Sequence, residues 1–306
     1  ASNASPESAL LFCDPDRREF NMLIQFEHVN LGQENGKFSP RTLADGELAD
    51  VMSTWQEPLG ERGWNALYLE NHDQPRAVSR FGDPRGAWYE SATALATAYF
   101  LQRGTPFIYQ GQEIGMLGGH FTRPSDFRDV ESLNYLSAHP GEGVPAGLAA
   151  ISRDNGRTPM QWDSSPAAGF TSGTPWIDLP PSASSIHVER QLADASSVLA
   201  FYRALIDARH RVPALTTGSF RRVDAGDPGL FVYVRSSEGS KVLVMTNLTG
   251  RAITPRGVFL DEDLSPSRWG LYLGNVASPI DSSEAEAGDP LPSSTMAPWE
   301  ARVYLR

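Results

Sequence analysis

The sequence predicts an α/β domain followed by an antiparallel all-β domain, which together make up the 306 residues of the chain. In residues 1–212, apolar runs of strand length alternate with amphipathic segments of helical length, which is typical of parallel βα units. In residues 213–306, β-branched alternating runs are separated by short polar turns. We therefore expect a parallel sheet with helices first and a β-sandwich second.

Three apolar runs in the first part are expected to be strands that are buried on both faces. They are Met22–Phe26, Ala66–Leu69 and Pro106–Tyr109. Closing a parallel barrel takes about eight strands, and an open sheet of three would leave apolar faces and edges uncovered. The first part is therefore expected to be a fragment of a barrel, or else to be covered by a partner.

Apolar residues at helical spacing predict helices between and after these strands. They are expected at residues 48–59, 88–101 and 197–209. The stretch 118–181 is rich in Gly, Pro, Ser and Asp and has little periodicity, as is common for a functional or a disordered loop. Its aromatic residues Trp162, Phe170 and Trp176 favour an ordered, packed loop.

The second part contains four alternating runs that predict strands. They lie at residues 229–235, 241–247, 268–273 and 301–306. Ser236–Ser240 separates the first two runs and predicts a hairpin.

Charge and composition argue against several partners. The formal net charge of −11 disfavours nucleic acid, which requires clustered Lys and Arg. Cys13 is the only cysteine, so a disulfide within the chain is impossible and a cysteine metal site is disfavoured. No stretch approaches the roughly 18 apolar residues that cross a membrane, and residues 1–6 do not resemble a signal peptide. We expect a cytoplasmic protein with no cofactor, metal, nucleic-acid or membrane partner.

The strongest candidate site follows the second predicted strand. Four hydrogen-bonding residues, Glu70–Asp73, come directly after it, and Arg76 is close behind. The carboxyl ends of parallel strands form the active-site face of such folds. A carboxylate beside an imidazole can there bind neighbouring sugar hydroxyls or stabilise developing positive charge. Alternatively, Asn71 and Asp73 cap the next turn.

Three other segments carry weaker signals. At the end of the first strand, Phe26 could stack on a sugar ring while Glu27 and His28 bind hydroxyls, or this is only an exposed strand end. Residues 104–115 are expected to have mainly a structural role. Residues 153–162 offer two arginines, which could form salt bridges or hold a substrate hydroxyl. Together these groups suit a polyol substrate.

Three motifs, in this order along the chain, resemble those of glycoside hydrolase family 13, the α-amylase family. They are Asn71–Arg76 (NHDQPR), Tyr109–Gly115 (YQGQEIG) and Arg157–Asp163 (RTPMQWD). They are most similar to the oligo-1,6-glucosidase and α-glucosidase branch. The resemblance implies a (β/α)₈ TIM barrel followed by an antiparallel β-domain, with this chain as the C-terminal portion of that barrel and the domain after it.

The resemblance also implies a retaining mechanism with an Asp nucleophile, a Glu acid/base and a third Asp. Asp73 resembles the third Asp, which stabilises the transition state. His72 and Arg157 resemble residues that hold the same glucose unit. Phe26 resembles an aromatic residue on the acceptor side, and Glu131 is expected near the next subsite.

This sequence departs from the family pattern in one decisive way. The nucleophile and acid/base motifs are missing, and residues 1–7 resemble the segment that follows the acid/base Glu. We therefore expect the missing N-terminal half of the barrel to be a partner of this chain, and we expect the 306-residue chain alone to be inactive. Gln112 also stands where relatives often have Glu.

Three functions remain open at this point. The first is a retaining α-glucosidase that acts on terminal α-1,6 or α-1,4 glucosyl bonds of short oligosaccharides or disaccharides. The second is a sucrose isomerase or another transglycosylase of the same family. The third is a non-catalytic binding or transporter subunit, which the intact Asn71–Asp73 motif and the lack of a membrane segment disfavour.

Overall fold

A computed structural model describes residues 4–256, 264, 269–276 and 292–306. The α-helices in these ranges are α1 Pro6–Cys13, α2 Glu47–Gln56, α3 Ala77–Phe81, α4 Trp88–Phe100, α5 Val130–Ala138, α6 Ala146–Ile151, α7 Val188–Leu192, α8 Val198–Arg211 and α9 Pro213–Thr216. The strands are β1 Ala66–Leu67, β2 Thr105–Pro106, β3 Ser219–Val223, β4 Leu230–Ser237, β5 Ser240–Asn247, β6 Gly270–Gly274 and β7 Ala301–Leu305.

The three predicted strand segments of the first part lie side by side and run parallel. Leu23 forms a parallel bridge with Asn65, and β1 pairs in parallel with β2. Their carboxyl ends therefore meet on one face, as the βα pattern predicts. Burial on both faces was a wrong prediction for the first and third runs. In the first run Met22 is 36% exposed and Ile24 and Phe26 are half-buried. In the third, β2 is an edge of the described sheet, and Phe107 and Ile108 beside it are 46% and 36% exposed.

The three predicted helices form as α2, α4 and α8, with ends shifted by a few residues. Every residue from Ser91 to Phe100 in α4 is buried, because α4 contacts α8 as well as strands β5 and β7. The side chain of Ser197 caps α8 by accepting a hydrogen bond from the Ala200 N–H. These helices share one core with the inner face of the C-terminal sheet.

The stretch 118–181 is ordered and packed, as predicted, and it contains α5 and α6. Its own apolar cluster contains Phe121, Phe127, Leu136, Leu148 and Ile177. The three aromatic residues from which its packing was predicted do not belong to that cluster. Their exposed fractions are 50% for Trp162, 50% for Phe170 and 62% for Trp176, so the prediction of packing rested on the wrong side chains.

The C-terminal part forms an antiparallel five-stranded sheet in the order β3-β4-β5-β7-β6. The predicted hairpin is present, with Ser237 paired to Ser240. One face packs against α4 and α8, and a second apolar cluster covers the other face. Within the described ranges this is one sheet and not the two of a sandwich; Arg268, at the start of the third predicted run, lies outside them. The division of the chain at residue 213 stays a prediction.

A buried arginine connects this sheet to the helical layer. Arg235 of β4 is fully buried, and its guanidinium donates to the carbonyls of Leu101, Leu215, Gly218 and Ser219 at 2.6–3.2 Å. The Leu101 carbonyl lies just past the end of α4, where carbonyls have no partner within the helix. Burial lowers the pKa of Arg235 to about 9.

Candidate active site

The loop that follows β1 is fixed by a buried ion pair. Arg76 Nη1 lies 3.0 Å from Glu70 Oε1, and their side chains are 0% and 2% exposed. Glu70 also accepts a hydrogen bond from the Ala77 N–H at the start of α3, and burial raises the pKa of its carboxyl. Arg76 Nη1 donates to the Gln110 carbonyl at 2.6 Å, just beyond β2. The ends of two neighbouring strands are thereby joined.

Within this loop, Asp73 faces two arginines. Arg157 Nη2 lies 2.8 Å from Asp73 Oδ1, and Arg157 Nε donates to the His72 carbonyl at 2.8 Å. Arg153 Nη1 lies 3.5 Å from the same Oδ1, and His72 Nε2 lies 3.3 Å from Oδ2. Asn71 Oδ1 accepts from the Asp73 N–H at 2.8 Å. Asn71 therefore caps the turn, while the Asp73 carboxylate faces the arginines.

A glycine permits this meeting of two distant segments. Arg153–Gly156 forms a 3₁₀ turn that lies against the loop of Asp73. A Cβ on Gly156 would lie 2.6 Å from the Gln74 carbonyl oxygen and 2.8 Å from that of Asn71. Only glycine allows so close a backbone approach, and it places both arginines within reach of Asp73.

The cluster continues beyond Asp73 with further ion pairs. Arg153 Nη2 lies 2.9 Å from Asp129 Oδ1 and 3.7 Å from Glu131 Oε2. Glu131 also pairs with Lys37. We call these six side chains the ionic cluster: Lys37, Asp73, Asp129, Glu131, Arg153 and Arg157. Its three cations and three carboxylates balance, and Asp73 remains 42% exposed and open to a ligand.

The structure brings together four of the five predicted site residues. Asp73, His72, Arg157 and Glu131 all belong to or adjoin the ionic cluster, and the His72 side chain is 71% exposed. Phe26 is half-buried after the bridge at Leu23 and takes no part in the ion pairs of the cluster.

His28 is placed differently from its prediction. Its side chain is 2% exposed, contacts the Tyr68 ring edge-on and has Nδ1 3.0 Å from Gln25 Nε2. Burial, and to a lesser degree the charge of Arg80, lowers its pKa to about 3. The suggestion that His28 binds a sugar hydroxyl is therefore wrong, whereas Glu27 is exposed.

The segment 104–115 has the structural role that was predicted for it. Its Tyr109 hydroxyl donates to the Gly156 carbonyl at 2.8 Å, and the Arg76 guanidinium lies over the Tyr109 ring. Gly111 has φ 89°, a conformation that favours glycine. In the part of the chain that the structure describes, no group of three or more His, Cys, Asp or Glu residues could hold a metal ion. None of the described helices is long and apolar enough to span a bilayer.

The family model of the α-amylase catalytic domain matches residues 1–218, more than half of the chain. The chain belongs to the α-amylase family. A curated relative in this family, an oligo-1,6-glucosidase of Halalkalibacterium halodurans, is 41% identical over 98% of this chain and 53% of its own length. This chain thus spans about half the length of the curated relatives that it matches.

Solved structures of α-amylase family enzymes show the same architecture. The trehalose-6-phosphate hydrolase of Bacillus licheniformis superposes with a TM-score of 0.86 at 32% identity, over 99% of this chain and 54% of its own. The trehalulose synthase of Pseudomonas mesoacidophila MX-45 gives 0.83 at 34% identity, over 99% and 54%. This α-amylase family chain therefore shares the fold of the part of these enzymes that it covers, and its C-terminal strands form an antiparallel sheet.

Two members of the ionic cluster were not predicted from the sequence of this α-amylase family chain. Asp129 precedes the apolar positions of α5, which is the ordinary signal of an N-cap and gives no hint of its arginine contacts. Lys37 lies in a loop far from Glu131 along the chain, so no local pattern connects them.

Proposed function

We propose that this chain is the C-terminal part of a retaining α-glucosidase, a cytoplasmic enzyme that acts on terminal α-1,6 or α-1,4 glucosyl bonds of short oligosaccharides. The proposal rests on the Asp73 carboxylate. It is partly exposed at the carboxyl ends of parallel strands, and Arg157 and His72 contact it. The family membership and the name of the oligo-1,6-glucosidase relative support the same reaction.

In this proposal Asp73 stabilises the transition state. A carboxylate that grips two neighbouring sugar hydroxyls favours the distorted, oxocarbenium-like ring over the relaxed one. Arg157 and His72 hold the same glucose unit, and Arg157 orients Asp73 through the 2.8 Å contact. Glu131 lies farther along the ionic cluster and serves the next subsite, where Phe26 supplies an apolar ring on the acceptor side.

The other two carboxylates of a retaining mechanism stand about 5–5.5 Å apart, one attacking and one protonating the leaving oxygen. We propose that both come from an N-terminal half of the barrel, which is the partner of this chain. The exposed Phe107 and Ile108 beside β2 support such a partner, because an apolar sheet edge is unfavourable in water. The chain alone is then expected to be inactive.

The test uses p-nitrophenyl α-glucoside as substrate. The purified 306-residue chain should release no nitrophenol, and the full-length enzyme, or this chain mixed with the missing half, should release it with retention at the anomeric carbon. Asp73→Asn in the active enzyme should lower kcat by at least roughly 1000-fold with an unchanged fold. Turnover by the chain alone, or near-normal turnover of Asp73→Asn, would sink the proposal.

A second function of the same family, sucrose isomerisation, is favoured by the trehalulose synthase neighbour. A relative named trehalose-6-phosphate hydrolase adds a phosphorylated substrate to the comparison. Product analysis with isomaltose, maltose, sucrose and trehalose 6-phosphate separates these reactions. Glucose from isomaltose or maltose supports the glucosidase, whereas an isomer of sucrose as the main product supports the alternative. Tight sugar binding by the full-length protein without turnover would indicate a non-catalytic subunit.

A further inference from the structure

Asp129 lies next to both arginines that contact Asp73. Its Oδ1 is 2.9 Å from Arg153 Nη2 and 3.8 Å from Arg157 Nη1. The same two guanidiniums reach Asp73 Oδ1 at 3.5 and 2.8 Å. Each arginine is therefore shared between an open carboxylate, which is 42% exposed, and a buried one, which is 2% exposed.

The buried carboxylate is itself held rigidly. Asp129 caps α5, and its Oδ2 accepts from the Ser132 N–H at 3.1 Å and from the Ser132 hydroxyl at 3.0 Å. The Asp129 N–H donates to Asp154 Oδ2 at 3.0 Å. Asp154 is fully buried, and the Ser132 hydroxyl is 2.8 Å from that of Ser152. Asp129 is thus a fixed anchor on a helix end.

Arginine side chains have many rotamers, and their position at a site depends on what holds them. Without the Asp129 charge, Arg157 would lose its second ion pair, and Arg153 would keep the longer, 3.7 Å contact with Glu131 beside its contact with Asp73. Both guanidiniums would then be held less firmly against Asp73. We infer that Asp129 is a positioning residue, which fixes Arg153 and Arg157 against Asp73 without contacting substrate. This inference rests on the proposed glucosidase function.

The kinetic test compares Asp129→Asn with the unaltered full-length enzyme on p-nitrophenyl α-glucoside. We expect kcat/KM to fall roughly 10- to 100-fold, mainly in kcat, because Asp73 must match the distorted sugar only in the transition state. The double variant of Asp129→Asn with Arg153→Lys should lose less activity than the product of the two single losses, since Arg153 makes the shorter contact with Asp129, at 2.9 Å. Losses that multiply, or an Asp129→Asn enzyme within about twofold of normal, would contradict the inference.

Asp126 provides the matched control. Like Asp129 it accepts from backbone N–H groups and pairs with an arginine, Arg123, but it has no contact with the ionic cluster. Asp126→Asn should leave kcat/KM unchanged. If Asp129→Asn does not fold, Ser132→Ala is used instead. That variant keeps the charge of Asp129 and removes the hydrogen bond that Asp129 accepts from the Ser132 hydroxyl. A drop in Tm with normal kcat in that variant would mean a merely structural role.

A second measurement separates this inference from the proposed function. The Nε–H NMR signals of Arg153 and Arg157 should shift or broaden in Asp129→Asn and stay in place in Asp126→Asn. Unchanged arginine signals would overturn the positioning role even in an active enzyme. If the unaltered enzyme hydrolyses no α-glucoside, the proposed function fails, while these signals still decide whether Asp129 holds the arginines.

Discussion

Gly156→Ala tests whether the close approach of two backbone segments sets the geometry of the site. The added Cβ would meet the Gln74 carbonyl oxygen at 2.6 Å, where ordinary contacts begin near 3.4 Å. Because a backbone carbonyl yields little, the turn must retreat by roughly 0.8 Å. The contact between Arg157 and Asp73, now 2.8 Å, would lengthen to about 3.6 Å and cease to be a hydrogen bond. A misplacement of this size lowers rates by up to about 100-fold.

The assay is kcat/KM of the full-length enzyme on p-nitrophenyl α-glucoside, with a crystal structure of the variant to measure the displacement. We expect a loss of roughly 30- to 100-fold. Gly173→Ala is the control, because Gly173 lies in the same stretch, has no positive φ and would bring its Cβ no closer than 3.6 Å to another atom. A Gly156→Ala enzyme that keeps more than half of its activity would refute the argument.

Three other predictions concern stability and specificity. The pKa of His28 in the folded chain is about 3, below the ordinary 6.5, so between these values the unfolded chain binds a proton that the folded chain does not. The free energy of unfolding should therefore fall by about 1.4 kcal/mol for each unit by which the pH is lowered from 6.5 to 3. Urea titrations of His28→Gln should lack this slope. Lys37→Met should change the KM for isomaltotriose roughly 3- to 10-fold and leave the KM for p-nitrophenyl α-glucoside unchanged, since its partner Glu131 is assigned to the next subsite. Equal changes in the two KM values would argue against that assignment. Arg235→Met should lower the free energy of unfolding by about 3 kcal/mol or more, because buried carbonyls lose their donors, whereas the exposed Arg203→Met of α8 should have little effect.

The position of Asp73 in the fold could be predicted because it depends on local patterns. Buried apolar runs followed by polar residues place those residues at the carboxyl ends of strands, and this is where Asp73 lies. The helices were predictable for the same reason, since α8 has apolar spacing, a serine cap and a following proline within one short stretch.

Tertiary neighbours could not be predicted in this way. A run such as Pro106–Tyr109 has the apolar composition of a buried strand, but whether Phe107 is covered depends on what lies beyond the edge. His28 is polar and follows a strand, yet it packs against Tyr68, a contact between distant segments. The contact between Asp129 and Arg153 joins the two ends of a segment that contains α5 and α6, and no local pattern in the sequence predicts that these ends meet.

The guanidinium of Arg235 has a consequence for where this protein can be divided. The family match ends at residue 218, seventeen positions before that arginine if one counts along the chain. A chain shortened at the end of the match would keep every matched residue and lose the donor to the Leu101 carbonyl at the end of α4. The end of the family match and the end of the folded unit therefore lie at different positions in the chain. Chimeras of two relatives should fold when α4 and the C-terminal sheet come from the same parent, and should not fold when they come from different parents.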